Sequence, residues 1–133
     1  MGSISFRSAG SQPGGGAVVR PGVGVGDGEA DRVAAHLVEA NLVGHDSHGV
    51  IAIPTYIDRI KAGHIAPGAK WAIVQESPTT TVIDGHWGFG FHVNAKAMAL
   101  TIEKAKTANV AACTVFRQSH VGRLAAYRGW LEI

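Results

Sequence analysis

The fold class follows from one continuous stretch, TTTVIDGHWGFGFHVNAKAMALTIEKAKTANVAACTVF (residues 79–116). Residues 79–84 are rich in β-branched side chains, which favour an extended strand. Residues 110–116 are an apolar run typical of a buried strand. Between them, residues 92–108 are predicted to be helical because four residues recur at helical spacing: Ala95, Met98, Ile102 and Ala105. The order strand, helix, strand predicts a βαβ unit, so we expect an α/β protein.

Upstream of this unit, the sequence predicts another strand and a long helix. Residues 71–77 have the same β-branched character as residues 79–84, and together they predict a hairpin or two neighbouring strands. A helix is expected to begin with Asp27 as its N-cap and to end near Gly44. Its apolar face is predicted to contain five residues: Ala30, Val33, Leu37, Ala40 and Leu42.

Two further helices are predicted, one before the strands in the sequence and one after them. The first has Pro54 in its opening turn and ends at Gly63. Its core-facing residues are expected to be Tyr56, Ile57 and Ile60. The second is expected over residues 118–126, directly after the last strand.

Composition divides the chain into two parts. Nine of its 18 glycines fall within the first 28 of 133 residues, and Pro13 and Pro21 interrupt the same stretch. We therefore expect residues 1–26 to be a disordered, glycine-rich tail and residues 27–133 to belong to the folded domain. The formal charge of +2 is too small to indicate a nucleic-acid or membrane partner, and the single cysteine fits the cytoplasm.

The densest polar cluster is His45-Asp46-Ser47-His48-Gly49, between two predicted helices. One interpretation is that these groups cap and join the helices, and another is that they form a functional site. A third is a small metal hydrolase that uses His45, Asp46 and His48, although a zinc site needs three or four ligands and the spacing is loose.

A second cluster, Ser119-His120-Val121-Gly122-Arg123, follows the strand of residues 110–116. At a strand end that opens a helix, free N–H groups would favour an anion. Arg123 has the geometry to pair with phosphate or carboxylate, and His120 exchanges protons near neutral pH. The alternative is a histidine bonded to a backbone carbonyl and an arginine in a surface ion pair.

Two other features have mainly structural interpretations. The loop DGHWGFG (residues 84–90) places three glycines around two aromatic residues, which indicates a backbone that passes close to another surface. That surface would be a cofactor or a neighbouring subunit. The alternative, which is slightly favoured, is that the loop is a plain connection between a strand and a helix. Cys113 is expected to be a small core residue rather than a nucleophile.

Several motifs together resemble the type-2 malate/L-lactate dehydrogenase family. They occur in family order between residues 29 and 127: EANLVGHDSHGV, IPTYIDRIKAGHI, DGHWGFG, AMALTIEKAK and SHVGRLAAY. The chain is most similar to the hydroxycarboxylate dehydrogenase branch. The resemblance implies the family's own non-Rossmann α/β fold, of which this chain would be an N-terminal part.

The resemblance also implies roles for individual residues. His120 matches the acid/base histidine, and His48 matches a residue that lines the nicotinamide site. Gly122, Arg123 and Leu124 match a segment that contacts the dinucleotide, and Ser47 is expected to contact the substrate beside His48. No metal ligands are implied.

The resemblance further implies hydride transfer between NAD, or NADP, and a 2-hydroxy or 2-oxo acid in a homodimer. Ala52 stands where many relatives have an arginine for the substrate carboxylate. Relatives are much longer than 133 residues, and RGWLEI after Tyr127 no longer resembles them. The chain is therefore expected to be a truncated or frameshifted fragment, inactive alone, and the alternative is a non-catalytic remnant that associates with itself or with an intact paralogue.

Overall fold

The computed structural model describes residues 6–7, 18–19 and 27–130. Its strands and α-helices, in chain order, are β1 (Phe6–Arg7), β2 (Val18–Val19), α1 (Asp27–Leu42), α2 (Ile53–Lys61), β3 (Ala72–Glu76), β4 (Thr80–Asp84), α3 (Gly90–Ala108) and β5 (Ala112–Phe116). Three short 3₁₀ segments complete the described part, namely Asp46–His48, Val50–Ala52 and Leu124–Trp130.

The predicted βαβ unit forms the centre of the fold. Strands β3, β4 and β5 make one sheet in that order; β3 pairs with β4 antiparallel, and β4 pairs with β5 in parallel. The parallel register places Ile83 opposite Val115, and α3 is the crossover between the two strands. Both the hairpin and the α/β prediction are confirmed. Because β4 and β5 are parallel, their carboxyl ends lie side by side, and the segments that follow the two strands begin at the same end of the sheet.

The predicted strand within residues 110–116 is present as β5, but the prediction that it is buried is wrong. Side chains of β5 alternate between exposed and half-buried positions. Cys113 and Val115 pack on the α3 side against Ile83 and Val93, and Cys113 is a packing residue as expected. Burial raises the pKa of its thiol. The strand is exposed because β5 is an edge of the sheet and α3 covers only one of its faces.

Helices α1 and α2 enclose the other core with the start of α3. Four of the five predicted α1 residues are buried: Ala30, Val33, Leu37 and Ala40. The prediction fails for Leu42, which is 81% exposed because it lies about 200° around the helix from Ala40. Val33 and Leu37 pack with Tyr56, Ile65 and the aromatic rings at the start of α3.

The predicted α2 helix is confirmed. It begins at Ile53 with Pro54 in its first turn, and Gly63 follows it with a φ of +73°. Tyr56 is buried, while Ile57 and Ile60 are half-buried.

The predicted helix over residues 118–126 is wrong in its start and in its type. The chain is irregular to Arg123, and only then does the 3₁₀ segment begin. Gly122 has a φ of +73°, which does not continue a helix, and the Tyr127 hydroxyl donates to the carbonyl of Val121 at 2.8 Å.

The predicted tail lies mostly outside the described residues. Within it, β1 pairs with β2 antiparallel, with Phe6 opposite Val19. The division into a disordered tail (residues 1–26) and a folded domain (residues 27–133) stays a prediction. In the part of the chain that the structure covers, no helix is both long and apolar enough to cross a membrane.

Candidate functional site

The fold brings the two predicted histidine clusters together. The rings of His48 and His120 lie with their centroids 5.7 Å apart, although 72 positions separate them in the sequence. Tyr56 of α2 and Phe91 of α3 also face His120, each with a centroid distance of 6.0 Å. These rings come from four different segments, so the site exists only in the folded chain.

His120 is held by Tyr56. The Tyr56 hydroxyl lies 2.7 Å from His120 Nδ1, within hydrogen-bond distance. Burial raises the pKa of Tyr56 to about 12, so its hydroxyl keeps its proton. Burial lowers the pKa of His120, and interactions with His48 and Arg59 lower it further. The imidazole is therefore neutral near pH 7, and its second nitrogen, Nε2, is left for another partner.

The loop at residues 84–90 positions the backbone of His120. The Gly88 carbonyl accepts from the Ser119 N–H at 3.1 Å, and the Gly85 N–H donates to the Phe116 carbonyl at 2.9 Å. A Cβ on Gly90 would lie 2.5 Å from the Ser119 carbonyl oxygen and 2.6 Å from that of His120. The close surface that the three glycines indicated is the chain's own segment after β5, so the loop is more than the plain strand-to-helix connection that was slightly favoured.

An ion pair beneath the site joins the same two segments. Asp84 ends β4 and is 4% exposed, and it accepts from Arg117 Nε at 3.0 Å and from the His86 N–H at 3.0 Å. The hydrogen bond from Arg117 holds the pKa of Asp84 low, at about 2, despite its burial. Asp84 and Arg117 therefore connect the carboxyl ends of the two parallel strands, just before His120.

Asn41 positions the segment that carries His48. Its amide nitrogen donates to Asp46 Oδ1 at 2.5 Å, and its carbonyl oxygen accepts from the Val50 N–H at 2.9 Å. Gly49 lies so close to this amide that a Cβ there would collide with it. Ser47 Oγ lies 3.0 Å from His48 Nδ1, within hydrogen-bond distance.

The other expected contact residues have surroundings of their own. Gly122 is buried against the rings of His36 and Phe91. The Arg123 guanidinium pairs with Glu39, as in the alternative interpretation in which this arginine forms an ion pair. Residues 119–123 are irregular, so no helix N-terminus is formed there. Leu124 is 72% exposed and lines a concavity between α3 and β5. The structure thus brings both Ser47 and His120 next to His48, whereas Leu124 is exposed.

Two residues of the site were missed in the sequence. Tyr56 was assigned only to the core, and His36 was not singled out. His36 Nε2 accepts from the Arg123 N–H at 2.8 Å. Its signal was available, because His36 is a polar residue on the apolar face of α1, three residues after Val33 and four before Ala40.

The metal-hydrolase alternative finds no support in the geometry. In residues 27–130, no three His, Cys, Asp or Glu side chains converge as ligands for a metal ion. The rings of His45 and His48 meet edge to face at 4.7 Å, and Asp46 is engaged by Asn41.

The sequence and the fold both match a known family. A family model described as Malate/L-lactate dehydrogenase matches residues 19–130. Hydroxycarboxylate dehydrogenase B of Escherichia coli O157:H7 is 42% identical over 96 residues, which are 72% of this chain and 27% of that protein. L-sulfolactate dehydrogenase of Methanocaldococcus jannaschii is 42% identical over 99 residues, 74% of this chain and 29% of that protein.

The solved structures agree. Sulfolactate dehydrogenase from M. jannaschii superimposes with a TM-score of 0.78 at 40% identity, over 80% of this chain and 31% of that chain. A structure described as a putative malate/lactate dehydrogenase from E. coli gives a TM-score of 0.77 at 36% identity, over 80% of this chain and 30% of that chain. The chain belongs to the malate/L-lactate dehydrogenase family, and it spans less than a third of the length of these relatives.

Proposed function

We propose that this chain supplies the acid–base histidine of a 2-hydroxyacid dehydrogenase. The reaction is the interconversion of a 2-hydroxy acid and a 2-oxo acid, in which a hydride passes to or from NAD or NADP. The observation that carries the proposal is the Tyr56–His120 hydrogen bond beside His48, in a chain of this family. Malate, lactate and sulfolactate dehydrogenases are among the relatives, which favours a small 2-hydroxy acid as substrate.

His120 performs the proton transfer. In oxidation, Nε2 accepts the proton of the substrate hydroxyl, and in reduction it returns that proton to the oxygen. Nδ1–H donates to the Tyr56 oxygen throughout, so the ring keeps its orientation when it gains charge. The lowered pKa of His120 keeps the imidazole in its neutral, accepting form near pH 7.

The surroundings of His120 favour an anionic substrate. The two charged groups that act on its pKa, His48 and Arg59, are both cationic when they carry charge. A carboxylate brought next to His120 would therefore meet positive potential rather than repulsion. Ala52 cannot hold that carboxylate itself, and we propose Ser47 as one of the groups that contact the substrate.

The residues of the segment after β5 fit a polar cofactor. Ser119 Oγ and Arg123 Nε are both buried without a hydrogen-bond partner within the described residues, so both have bonding capacity left for a ligand. We propose His48, Gly122, Arg123 and Leu124 as the contact residues of the dinucleotide. When bound, NAD or NADP supplies the hydride acceptor or donor.

A non-catalytic remnant is the second candidate function. It is favoured by the exposed edge strand β5 and by the share of the relatives that the chain spans, which is 27% for the E. coli O157:H7 protein.

We propose that the chain functions as a homodimer in the cytoplasm, and that turnover also requires segments of the family fold beyond these 133 residues. Cofactor binding by the isolated chain favours the dehydrogenase, and association without binding favours the remnant.

The decisive experiment completes the chain with the remaining region of the E. coli hydroxycarboxylate dehydrogenase B. NADH and NADPH consumption is measured with several 2-oxo acids. His120→Ala should lower turnover by about 10²–10⁴-fold, the usual contribution of a general acid–base group, while cofactor binding survives. The matched control is His64→Ala, at an exposed histidine that follows α2. Near-full activity of the His120→Ala protein would remove the assignment.

A further inference from the structure

We propose that His36, in its neutral form with the proton on Nδ1, is a positioning residue that holds segment 121–123 and through it His120. This inference rests on the proposed role of His120. His36 lies on α1 and touches none of the groups that we assign to the substrate, so its effect is exerted through the backbone of the neighbouring segment.

The hydrogen bond fixes the tautomer. His36 Nε2 accepts from the backbone N–H of Arg123 at 2.8 Å. A ring nitrogen that accepts a hydrogen bond carries no proton, so the neutral ring must have its proton on Nδ1. Protonation at Nε2 would replace the acceptor by a donor that points at another donor, and this bond would be lost.

Packing makes the contact specific. The ring of His36 lies 4.7 Å from that of Phe91, and Gly122 packs against both rings with no room for a Cβ. One turn further along α1, Glu39 pairs with the Arg123 guanidinium. The Tyr127 hydroxyl holds the Val121 carbonyl at 2.8 Å. The segment directly after His120 is thus attached to α1 by both the backbone and the side chain of Arg123.

The electrostatic surroundings favour the neutral ring. Burial lowers the pKa of His36, Glu39 raises it, and Arg123, His120 and His48 each lower it again. The titratable or charged groups that face His36 come from α1, from the 46–48 segment and from residues 120–127: Asp31, Arg32, Glu39, His48, His120, Arg123 and Tyr127. Acidification below pH 6.5 therefore protonates His36 and removes its hydrogen bond from the Arg123 N–H, although Glu39 and Tyr127 still hold the segment.

Nitrogen-15 NMR of the full 133-residue chain tests the tautomer directly. At pH 7.5, His36 Nε2 should give the signal of an unprotonated nitrogen and Nδ1 that of a protonated one. During acidification to pH 5, the Arg123 amide should shift with the midpoint of His36, below 6.5. A protonated Nε2 at pH 7.5, or an Arg123 amide that ignores the His36 titration, would overturn the proposal.

Two variants separate positioning from general destabilisation. Gln has an amide oxygen at about the reach of Nε2 and does not titrate, so His36→Gln should keep the Arg123 amide protected and remove the His36 step from its pH profile. His36→Leu has no acceptor, and its Arg123 amide should exchange about tenfold faster, the loss expected for one hydrogen bond. His64→Gln is the control and should change neither signal.

These measurements do not depend on turnover. A chain that lacks cofactor binding but shows the Nδ1 tautomer and the coupled Arg123 amide would refute the proposed function and keep the positioning role. A completed protein that is active but has the proton of His36 on Nε2 would support the proposed function and refute the positioning role. Equal exchange rates for the Arg123 amide in wild type and His36→Leu would contradict the proposal even if the tautomer were correct.

Discussion

Tyr56 has two roles, one in the hydrophobic core and one in the candidate site. Its ring packs against Phe89 and Phe91, with centroid distances of 5.8 and 6.0 Å, while its hydroxyl reaches His120. A side chain with an apolar body and a polar tip can do both because burial and hydrogen bonding involve different atoms. Substitution by phenylalanine therefore separates the two roles.

We expect Tyr56→Phe to lower turnover of the completed protein by about tenfold. One hydrogen bond of this kind contributes about 1 kcal/mol, and 1.36 kcal/mol corresponds to a factor of ten in rate. The folded chain should remain, because the ring stays in place. The control is His64→Ala, at an exposed histidine that follows α2. Unchanged turnover and an unchanged pH profile of Tyr56→Phe would show that the hydroxyl does not orient His120.

A second residue-scale prediction concerns the buried ion pair. Arg117→Met should lower the midpoint of denaturant unfolding, because it leaves the carboxylate of Asp84 buried without its main partner. Glu103→Gln, in an exposed pair with Lys106, should leave the midpoint nearly unchanged.

The same pair gives an acid dependence. Since the pKa of Asp84 is lowered from 3.8 to about 2, its contribution to stability is present above pH 3.8 and is lost as the pH falls towards 2. Asp84→Asn should remove this dependence. A Met variant as stable as wild type would mean that the pair contributes nothing to folding.

At the scale of elements, the N-terminus of α3 decides where His120 lies. Gly90→Ala should destabilise the chain by about 1–3 kcal/mol, because the added Cβ meets two backbone carbonyls and the helix must shift. In Gly28→Ala, the Cβ meets nothing within 4 Å and the residue lies in α1, so stability should stay equal or rise by less than about 1 kcal/mol. Urea unfolding of both variants measures the difference, and similar midpoints would show that the close approach is not needed.

The elements also show what local sequence can predict. The period of α3 and the β-branched runs of β3 and β4 give the elements and their order, because these signals depend on each segment alone. The exposure of β5 could not be predicted, since it depends on which neighbours the strand has in the sheet. The helix predicted over the irregular segment 118–123 is wrong because the turn at Gly122 is set by contacts with His36 and Phe91, which are distant in sequence. The same reason explains why the local patterns indicated His48 and His120 as two separate clusters, and why only the family resemblance implied that they belong to one site.

At the scale of the whole molecule, the outer face of β5 favours association. Val110 is 75% exposed, and Phe116 and Ala112 are also exposed on this edge. Light scattering of the purified chain should detect dimers or larger species, because unpaired edge strands with apolar side chains pair with other chains. Thr114→Lys places a charge on this face and should reduce association, whereas Ala99→Lys on the exposed side of α3 should not. A monomeric wild-type chain at high concentration would contradict the prediction.

The stability of the whole molecule should fall as the pH drops below 6.5. Burial lowers the pKa of three histidines, His36, His92 and His120. The unfolded chain therefore binds more protons than the folded chain between 6.5 and the lowered values. The contribution of these three neutral rings to the free energy of unfolding is fully present above pH 6.5 and is lost during acidification through this window. Each ring adds a slope of at most about 1.4 kcal/mol per pH unit, which solvent screening at these partly exposed rings reduces.

Burial raises the pKa of Glu29, so this residue acts in the opposite direction, with a contribution that is complete below pH 4.5 and lost as the pH rises. The histidine effect is therefore best isolated by urea unfolding between pH 8 and pH 5.5. His36→Gln should reduce the slope there because one titrating ring is removed, and His64→Gln, at an exposed ring outside both cores, is the control. Stability that rises on acidification through this window would mean that the three rings are more easily protonated in the folded chain, and the neutral forms of His36 and His120 would then have to be abandoned.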